Sequence, residues 1–277
     1  MKIDAHQHFW QYSAEEYDWI GENEAVIKRD FLPEHLAPIL LESGIDGCVA
    51  VQARQTIEET HWLLSLVDKN PIIKGVVGWI DLQAEDLAKQ LLTFKPSSKL
   101  VGFRHVLQGE PDPEFMLKDE FIRGLHVIAE QGYCYDLLVF AKQLPQTIEL
   151  VKRLPQMRLV LDHIAKPDIA TGVDFTQWQQ QITELAASQH VFCKVSGMVT
   201  EADHQHWQQP QFNQYLDVIF NAFGPERIIF GSDWPVCLLA AQYHQVKKIV
   251  SEYVQDNYPE FFDDIFGLNA ARFYRLT

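Results

Sequence analysis

His6 and His8 stand two residues apart near the start of the chain. On a strand, that spacing turns both imidazoles to one face. Neutral rings placed so could ligate a metal or hydrogen-bond a substrate carbonyl. Asp233, in Phe230-Gly231-Ser232-Asp233-Trp234-Pro235, follows a short apolar run and precedes a proline that fixes the turn. Partial desolvation there raises a carboxylate's pKa, and a nearby His or Arg lowers it. Such a group suits a base that activates water. His163, in Asp162-His163-Ile164-Ala165-Lys166-Pro167, and Arg104, in Gly102-Phe103-Arg104-His105, are further candidates for stabilising charge. Ser196 lies in Lys194-Val195-Ser196-Gly197, outside any GxSxG elbow, and is not read as a nucleophile.

These residues need elements to bring them together. Short apolar runs recur along the chain, each followed by a longer amphipathic one. Eight strands are expected at residues 2–6, 47–52, 72–80, 100–106, 134–139, 158–162, 191–195 and 227–231. Several are apolar nearly throughout, as strands covered on both faces must be. Helices are expected at 33–42, 57–69, 85–94, 113–131, 143–153, 175–188, 211–223, 240–255 and 260–274. Strands alternating with helices imply parallel pairing through right-handed crossovers. No strand leads into a GxGxxG turn, and eight strands match a closed barrel. The expectation is an α/β chain forming a (β/α)8 TIM barrel in a single domain, residues 1–277. Residues 9–30, with Trp10, Tyr12, Tyr17 and Trp19, are expected to fold over the barrel mouth.

A barrel enzyme keeps its chemistry at the C-terminal ends of its strands. Polar groups follow seven of the expected strands at once: His6 and His8; Gln52 and Arg54; Trp79 and Asp81; Arg104 and His105; Asp162, His163 and Lys166; Lys194 and Ser196; Asp233 and Trp234. Any one of them also reads as a capping or loop-anchoring group. Together they point to one mouth. Asp233, His6, His8, His163 and Arg104 are the expected catalytic set. Arg54, Gln52, Trp79, Asp81, His105, Lys166 and Trp234 are the expected substrate-binding set. His204 and His206 imitate a ligand pair but are read as surface residues.

Composition narrows the partners. The 277 residues carry 23 Lys plus Arg against 38 Asp plus Glu, a formal charge of −15. That balance argues against nucleic acid, which needs clustered cations, and against an anionic membrane surface. No apolar run approaches the roughly 18 residues that span a bilayer. No signal-like apolar region follows Met1. The four cysteines form no CxxC pair and read as free core thiols in a reducing cytoplasm. A small-molecule substrate is expected, with a homo-oligomer an open option. The excess acid is expected on the helices, leaving a local basic spot at the mouth.

The motifs at residues 6–10, 102–105, 162–167 and 231–235 resemble the amidohydrolase superfamily. More narrowly, they resemble its TIM-barrel lactonases, the branch of L-fuconolactonase, L-rhamnonolactonase and 2-pyrone-4,6-dicarboxylate lactonase. The resemblance runs to Asn269-Ala270-Ala271-Arg272. It implies a distorted (β/α)8 barrel that hydrolyses a ring ester. It maps the branch's histidine pair onto His6 and His8, its strand-six histidine onto His163 and its strand-eight aspartate onto Asp233. Binuclear members carry a carboxylated lysine on strand four and histidines on strands five and six. Here strand four ends in Phe103-Arg104-His105 and strand five reads Tyr135-Asp136-Leu137-Leu138, which argues against two metals. With few preorganised ligands in view, the expectation is no required cofactor. One divalent cation, zinc, on His6, His8 and Asp233 is the alternative.

The expected reaction is opening of an L-fuconolactone-like aldonolactone by water activated at Asp233. A pyrone dicarboxylate would need several cations, ideally bidentate arginines. The aromatic and polar residues assigned to the mouth suit a sugar ring better. A metal-dependent amidohydrolase or decarboxylase of the same superfamily, and a non-catalytic sugar-binding barrel, stay as alternatives.

Overall fold

The computed structural model describes residues 1–94 and 97–277. Eight strands lie side by side in chain order: β1 (Ile3–Gln7), β2 (Gly47–Val51), β3 (Ile73–Gly78), β4 (Leu100–Val106), β5 (Cys134–Leu138), β6 (Leu159–Leu161), β7 (Val191–Val195) and β8 (Ile228–Phe230). All seven adjacent pairs are parallel. The eighth seam closes the barrel without a regular ladder. Asp233 N–H donates to the His6 carbonyl at 2.8 Å, and His8 N–H donates to the Trp234 carbonyl at 2.7 Å. Lower in the seam, the Asp4 carboxylate accepts from Ser232 N–H at 2.9 Å and Ser232 Oγ at 2.6 Å. The expected distortion is this irregular seam, together with the register shift between Asp4 and Gln7 on β1.

Helices α1 (Pro33–Glu42), α2 (Ile57–Val67), α3 (Leu87–Leu92), α4 (Asp119–Glu130), α5 (Leu144–Arg153), α6 (Phe175–Ala186), α7 (Pro210–Phe223) and α8 (Tyr243–Asn257) surround the strands. Local chemistry sets several ends. Pro33 opens α1, where a missing N–H is harmless, and Gly44 at φ 66° turns the chain out of it. Thr56 caps α2 by accepting from Glu59 N–H at 3.1 Å. The expected helix over 113–131 is divided. A 3-10 turn at Phe115–Leu117 precedes α4, with Lys118 extended between them. Phe115 is held there by stacking on His105. The expected helix over 260–274 is also divided, into a 3-10 turn, a π-helical turn at Asp264–Leu268 and α9 (Asn269–Tyr274). Asn269 explains the bend. Its amide donates to the carbonyls of Pro225 at 2.8 Å and Ile228 at 2.7 Å, drawing α9 under the barrel.

The apolar residues form two layers. The larger lies between strands and helices. The smaller fills the barrel itself with Ile3, Ala5, Val49, Val51, Val77, Val160 and Ile229, and is stoppered from below by Phe273 and Tyr274 of α9. The four cysteines are buried and free, as expected. His204 and His206 are exposed. Among the described residues, no helix is long and apolar enough to cross a membrane.

Candidate active site

The wide end of the barrel opens into a cavity of about 580 Å³. His8, Arg54, Arg104, His163, Lys166 and Asp233 line it, with Glu15, Glu16, Asp18 and Trp19 from the segment after β1. That segment does border the mouth. Trp10, buried within it, donates its indole N–H to the Arg29 carbonyl at 2.8 Å and meets Trp19 edge-on at 5.9 Å.

Asp233 is the focus. It follows β8 in a left-handed conformation, φ 58°, and is 2% exposed. Its Oδ1 lies 3.4 Å from His8 Nε2, 3.9 Å from His6 Nε2 and 3.9 Å from His163 Nε2. Burial works against its charge. The imidazoles of His163, His8 and His6 outweigh burial and hold it well below the usual carboxylate range. Asp233 is therefore an anion at neutral pH.

Each histidine is oriented from behind. The Val51 carbonyl can only accept, so His8 Nδ1 carries a hydrogen and donates to it at 2.8 Å. His8 Nε2 is left facing Asp233. His163 Nδ1 is paired with Ser196 Oγ at 2.8 Å. Residues 163–166 all have φ between 48° and 61°, a run of left-handed backbone that folds the chain back over the mouth. Gly197 makes room for it: a Cβ there would sit 2.6 Å from His163 Nδ1. Burial pushes the His163 pKa down to about 4 and that of His6 well below its usual value, so both rings are neutral at neutral pH.

Beneath His6 lies a buried charge network. Lys194 Nζ is 2.5 Å from Asp136, 2.9 Å from Asp162 and 3.1 Å from His6 Nδ1. Arg104 Nη1 donates to Asp162 at 3.1 Å, and its Nε to Gln52 Oε1 at 3.0 Å. Tyr274 of α9 donates its hydroxyl to Asp136 at 2.8 Å. Burial would lower the Lys194 pKa, but Asp136 and Asp162 raise it. Asp162 is held low against burial by Lys194, His6 and Arg104. Burial pushes Asp136 up even beside Lys194.

The structure thus brings Asp233, His6, His8, His163 and Arg104 together. It divides the expected substrate-binding set. Arg54 and Lys166 line the cavity. Gln52 is fully buried and holds Arg104. His105 is turned away, with Nε2 donating to Glu110 at 2.6 Å and Nδ1 accepting from Trp79 at 3.2 Å. Asp81 is exposed and accepts from Gln83 N–H at 2.9 Å. Trp234 is buried against Phe9 and Phe31. Instead, Trp19, 45% exposed, offers its indole to the cavity. The cations of the expected basic spot do gather at the cavity, but each is paired with a carboxylate. Arg54 pairs with Glu16 at 3.0 Å, Lys166 with Glu201 at 3.3 Å and Arg104 with Asp162. Asp136 and Lys194 were missed as a supporting pair. Their signal was a charge inside an otherwise apolar strand.

Glu59 supports the loop that carries Arg54. Its Oε2 accepts from Ala53 N–H at 3.0 Å and Arg54 N–H at 2.8 Å, while Oε1 is buried without a partner. Burial pushes its pKa up from 4.5 to about 7. Between those values the folded chain keeps a proton that the unfolded chain releases, so stability falls as pH rises through the window. Glu59→Gln keeps the acceptor and removes the slope. In urea unfolding, its advantage over the unsubstituted chain should grow by about 3 kcal/mol between acid and mildly alkaline pH. A parallel pH dependence in both would exclude Glu59 as its source.

The donor atoms of His6, His8 and Asp233 all lie within 4.8 Å of one another. Two imidazole nitrogens and a carboxylate oxygen fit a zinc-type site, and His163 adds a nitrogen nearby. The donor set is richer than the sequence reading allowed.

The amidohydrolase family profile matches residues 3–276. An L-fucono-1,5-lactonase of Burkholderia multivorans is 41% identical over 286 residues, covering 100% of this chain and 96% of that protein. An L-fucono-1,5-lactonase of Burkholderia ambifaria is 34% identical, covering 100% and 96%. A crystal structure of an amidohydrolase from Burkholderia multivorans with bound zinc superposes with a TM-score of 0.97 at 41% identity, covering 100% of both chains. Barrel, site and full-length likeness agree that this chain belongs to the amidohydrolase family.

Proposed function

We propose that the chain is a hydrolase that opens the ring ester of a sugar-acid lactone, an L-fuconolactone-like aldonolactone, in a single domain of residues 1–277. The observation that carries this is Asp233, held as an anion among three imidazoles on the floor of the cavity. The L-fucono-1,5-lactonases similar over the full length supply the substrate class.

In this reading Asp233 accepts a proton from water as the water oxygen bonds to the lactone carbonyl carbon. His163 donates toward the carbonyl oxygen as it becomes negative, while Arg104, taken up by Gln52 and Asp162, holds the floor of the site in place. One such donor in an enclosed site is worth roughly 3–4 kcal/mol. The carbon–oxygen bond of the ring then breaks. The proton held by Asp233 passes to the departing oxygen, giving a hydroxyl and a carboxylic acid, which ionises. His6 is held in place by Lys194 and Arg104, and His8 by the Val51 carbonyl. His6, His8 and Asp233 are also the residues that would hold zinc, which when bound polarises a carbonyl and lowers the pKa of water.

A panel of aldonolactones followed by acid release tests the activity. Turnover of L-fucono-1,5-lactone or a near stereoisomer is expected, and turnover of aromatic lactones alone would overturn the reading. Metal content and activity after chelation separate the cofactor alternatives. Full activity in metal-free protein assigns activation to Asp233 alone; loss restored by zinc assigns a metal to His6, His8 and Asp233. We place the enzyme in the cytoplasm, in keeping with its free thiols.

A further inference from the structure

Hydrolysis of an aldonolactone starts from an uncharged ring. A lactone of the same size can also carry a carboxylate, and a mouth with an available arginine would welcome it. The cavity contains Arg54, Arg104 and Lys166. Arg104 is spent on Gln52 and Asp162. Lys166 is paired with Glu201. Arg54 stands at the rim, 23% exposed, and is the cation that an incoming substrate meets with least burial. Glu16 holds it at 3.0 Å, and its guanidinium lies over the Tyr17 ring at 5.7 Å. Glu15 and Asp18 flank Glu16 on the same wall, next to the exposed indole of Trp19.

We propose that Glu16 is a specificity-determining residue, which neutralises Arg54 at the rim and so restricts the cavity to lactones without a charged substituent. The inference rests on the lactone-hydrolase reading and deepens it. A substrate carboxylate would have to displace Glu16 from Arg54 and then lie beside Glu15 and Asp18, so its gain is offset by repulsion. An uncharged polyhydroxylated ring meets no such repulsion. Its apolar face can lie on Trp19 and its hydroxyls can bond the rim carboxylates.

The test uses matched pairs: an aldonolactone, and the aldaric monolactone in which its terminal CH2OH is a carboxylate. The unsubstituted chain should strongly prefer the aldonolactone by kcat/KM. Glu16→Gln frees Arg54, and the ratio should shift toward the carboxylate-bearing lactone by about tenfold. The double variant Glu16→Gln with Arg54→Gln should lose that shift. An unchanged ratio in Glu16→Gln overturns the inference while leaving lactone hydrolysis intact. So does a shift that persists without Arg54. If no lactone is hydrolysed at all, the functional reading fails, and calorimetric binding of the aldarate dianion still reads Arg54. Glu16→Gln must then bind it more tightly than the unsubstituted chain, and equal binding overturns the inference.

Discussion

Asp233→Asn is expected to lower kcat by about 10³-fold, the usual range for removing a positioned base, with little change in the unfolding free energy. Asn has nearly the shape of Asp and keeps one carbonyl oxygen. It can still take up the left-handed backbone at φ 58°, which Asn tolerates better than most residues. The seam bonds between residues 6, 8, 233 and 234 are made by the backbone and persist. What disappears is the negative charge that His6, His8 and His163 surround, and with it the ability to accept a proton from water. Both quantities are needed, since a misfolded variant would also be inactive. Turnover within a few-fold of the unsubstituted chain, in a protein of unchanged stability, would remove Asp233 from the mechanism.

Lys194→Met is expected to be the most destabilising single change near the site, by about 3–5 kcal/mol. Lys194 is fully buried, and its ammonium is shared by Asp136, Asp162 and His6. Methionine fills much of the volume of the stem, so the loss is not mainly a cavity. It comes from two carboxylates left 0% exposed, with a cation, Arg104, still beside Asp162 but none beside Asp136. Asp136 is the group that should yield. Burial already favours its proton, and Tyr274 remains as a partner. Adding Asp136→Asn to Lys194→Met should therefore recover part of the loss, and a double-mutant cycle would show strong coupling. Urea unfolding measures all three. A loss below about 1 kcal/mol for Lys194→Met would mean the pair behaves like a surface salt bridge.

The sequence was most informative where the period and the polarity agreed. β1 through β8 were all legible because a strand covered on both faces must be apolar, and because polar groups appear abruptly where seven of them end. The same abruptness exposed His6, His8, Arg104, His163 and Asp233. It could not tell which polar residues face the cavity. Gln52, Trp79 and His105 stand at strand ends like the others, yet each is taken up by a neighbour: Gln52 by Arg104, and Trp79 and His105 by one another and Glu110. Trp19 was placed near the mouth with Trp10, Tyr12 and Tyr17, but which of the four would face the cavity was not legible. They sit in an irregular segment, where no periodicity says which side chain is exposed. The pairing of Arg54 with Glu16 joins residues 38 positions apart, and only the folded chain brings them together. The break before α9 likewise depends on Asn269 reaching the carbonyls of Pro225, ahead of β8, and of Ile228 at its start.

The seam between β1 and β8 bears on how the molecule is made. His6 and His8 leave the ribosome more than two hundred residues before Asp233 does. The stopper at Phe273 and Tyr274 follows later still. A growing chain therefore holds its imidazoles without the carboxylate they face, and its buried lysine network without the tyrosine beneath it. Until Asp233 has been made and docked against β1, the chain has no assembled centre with which to attack an ester.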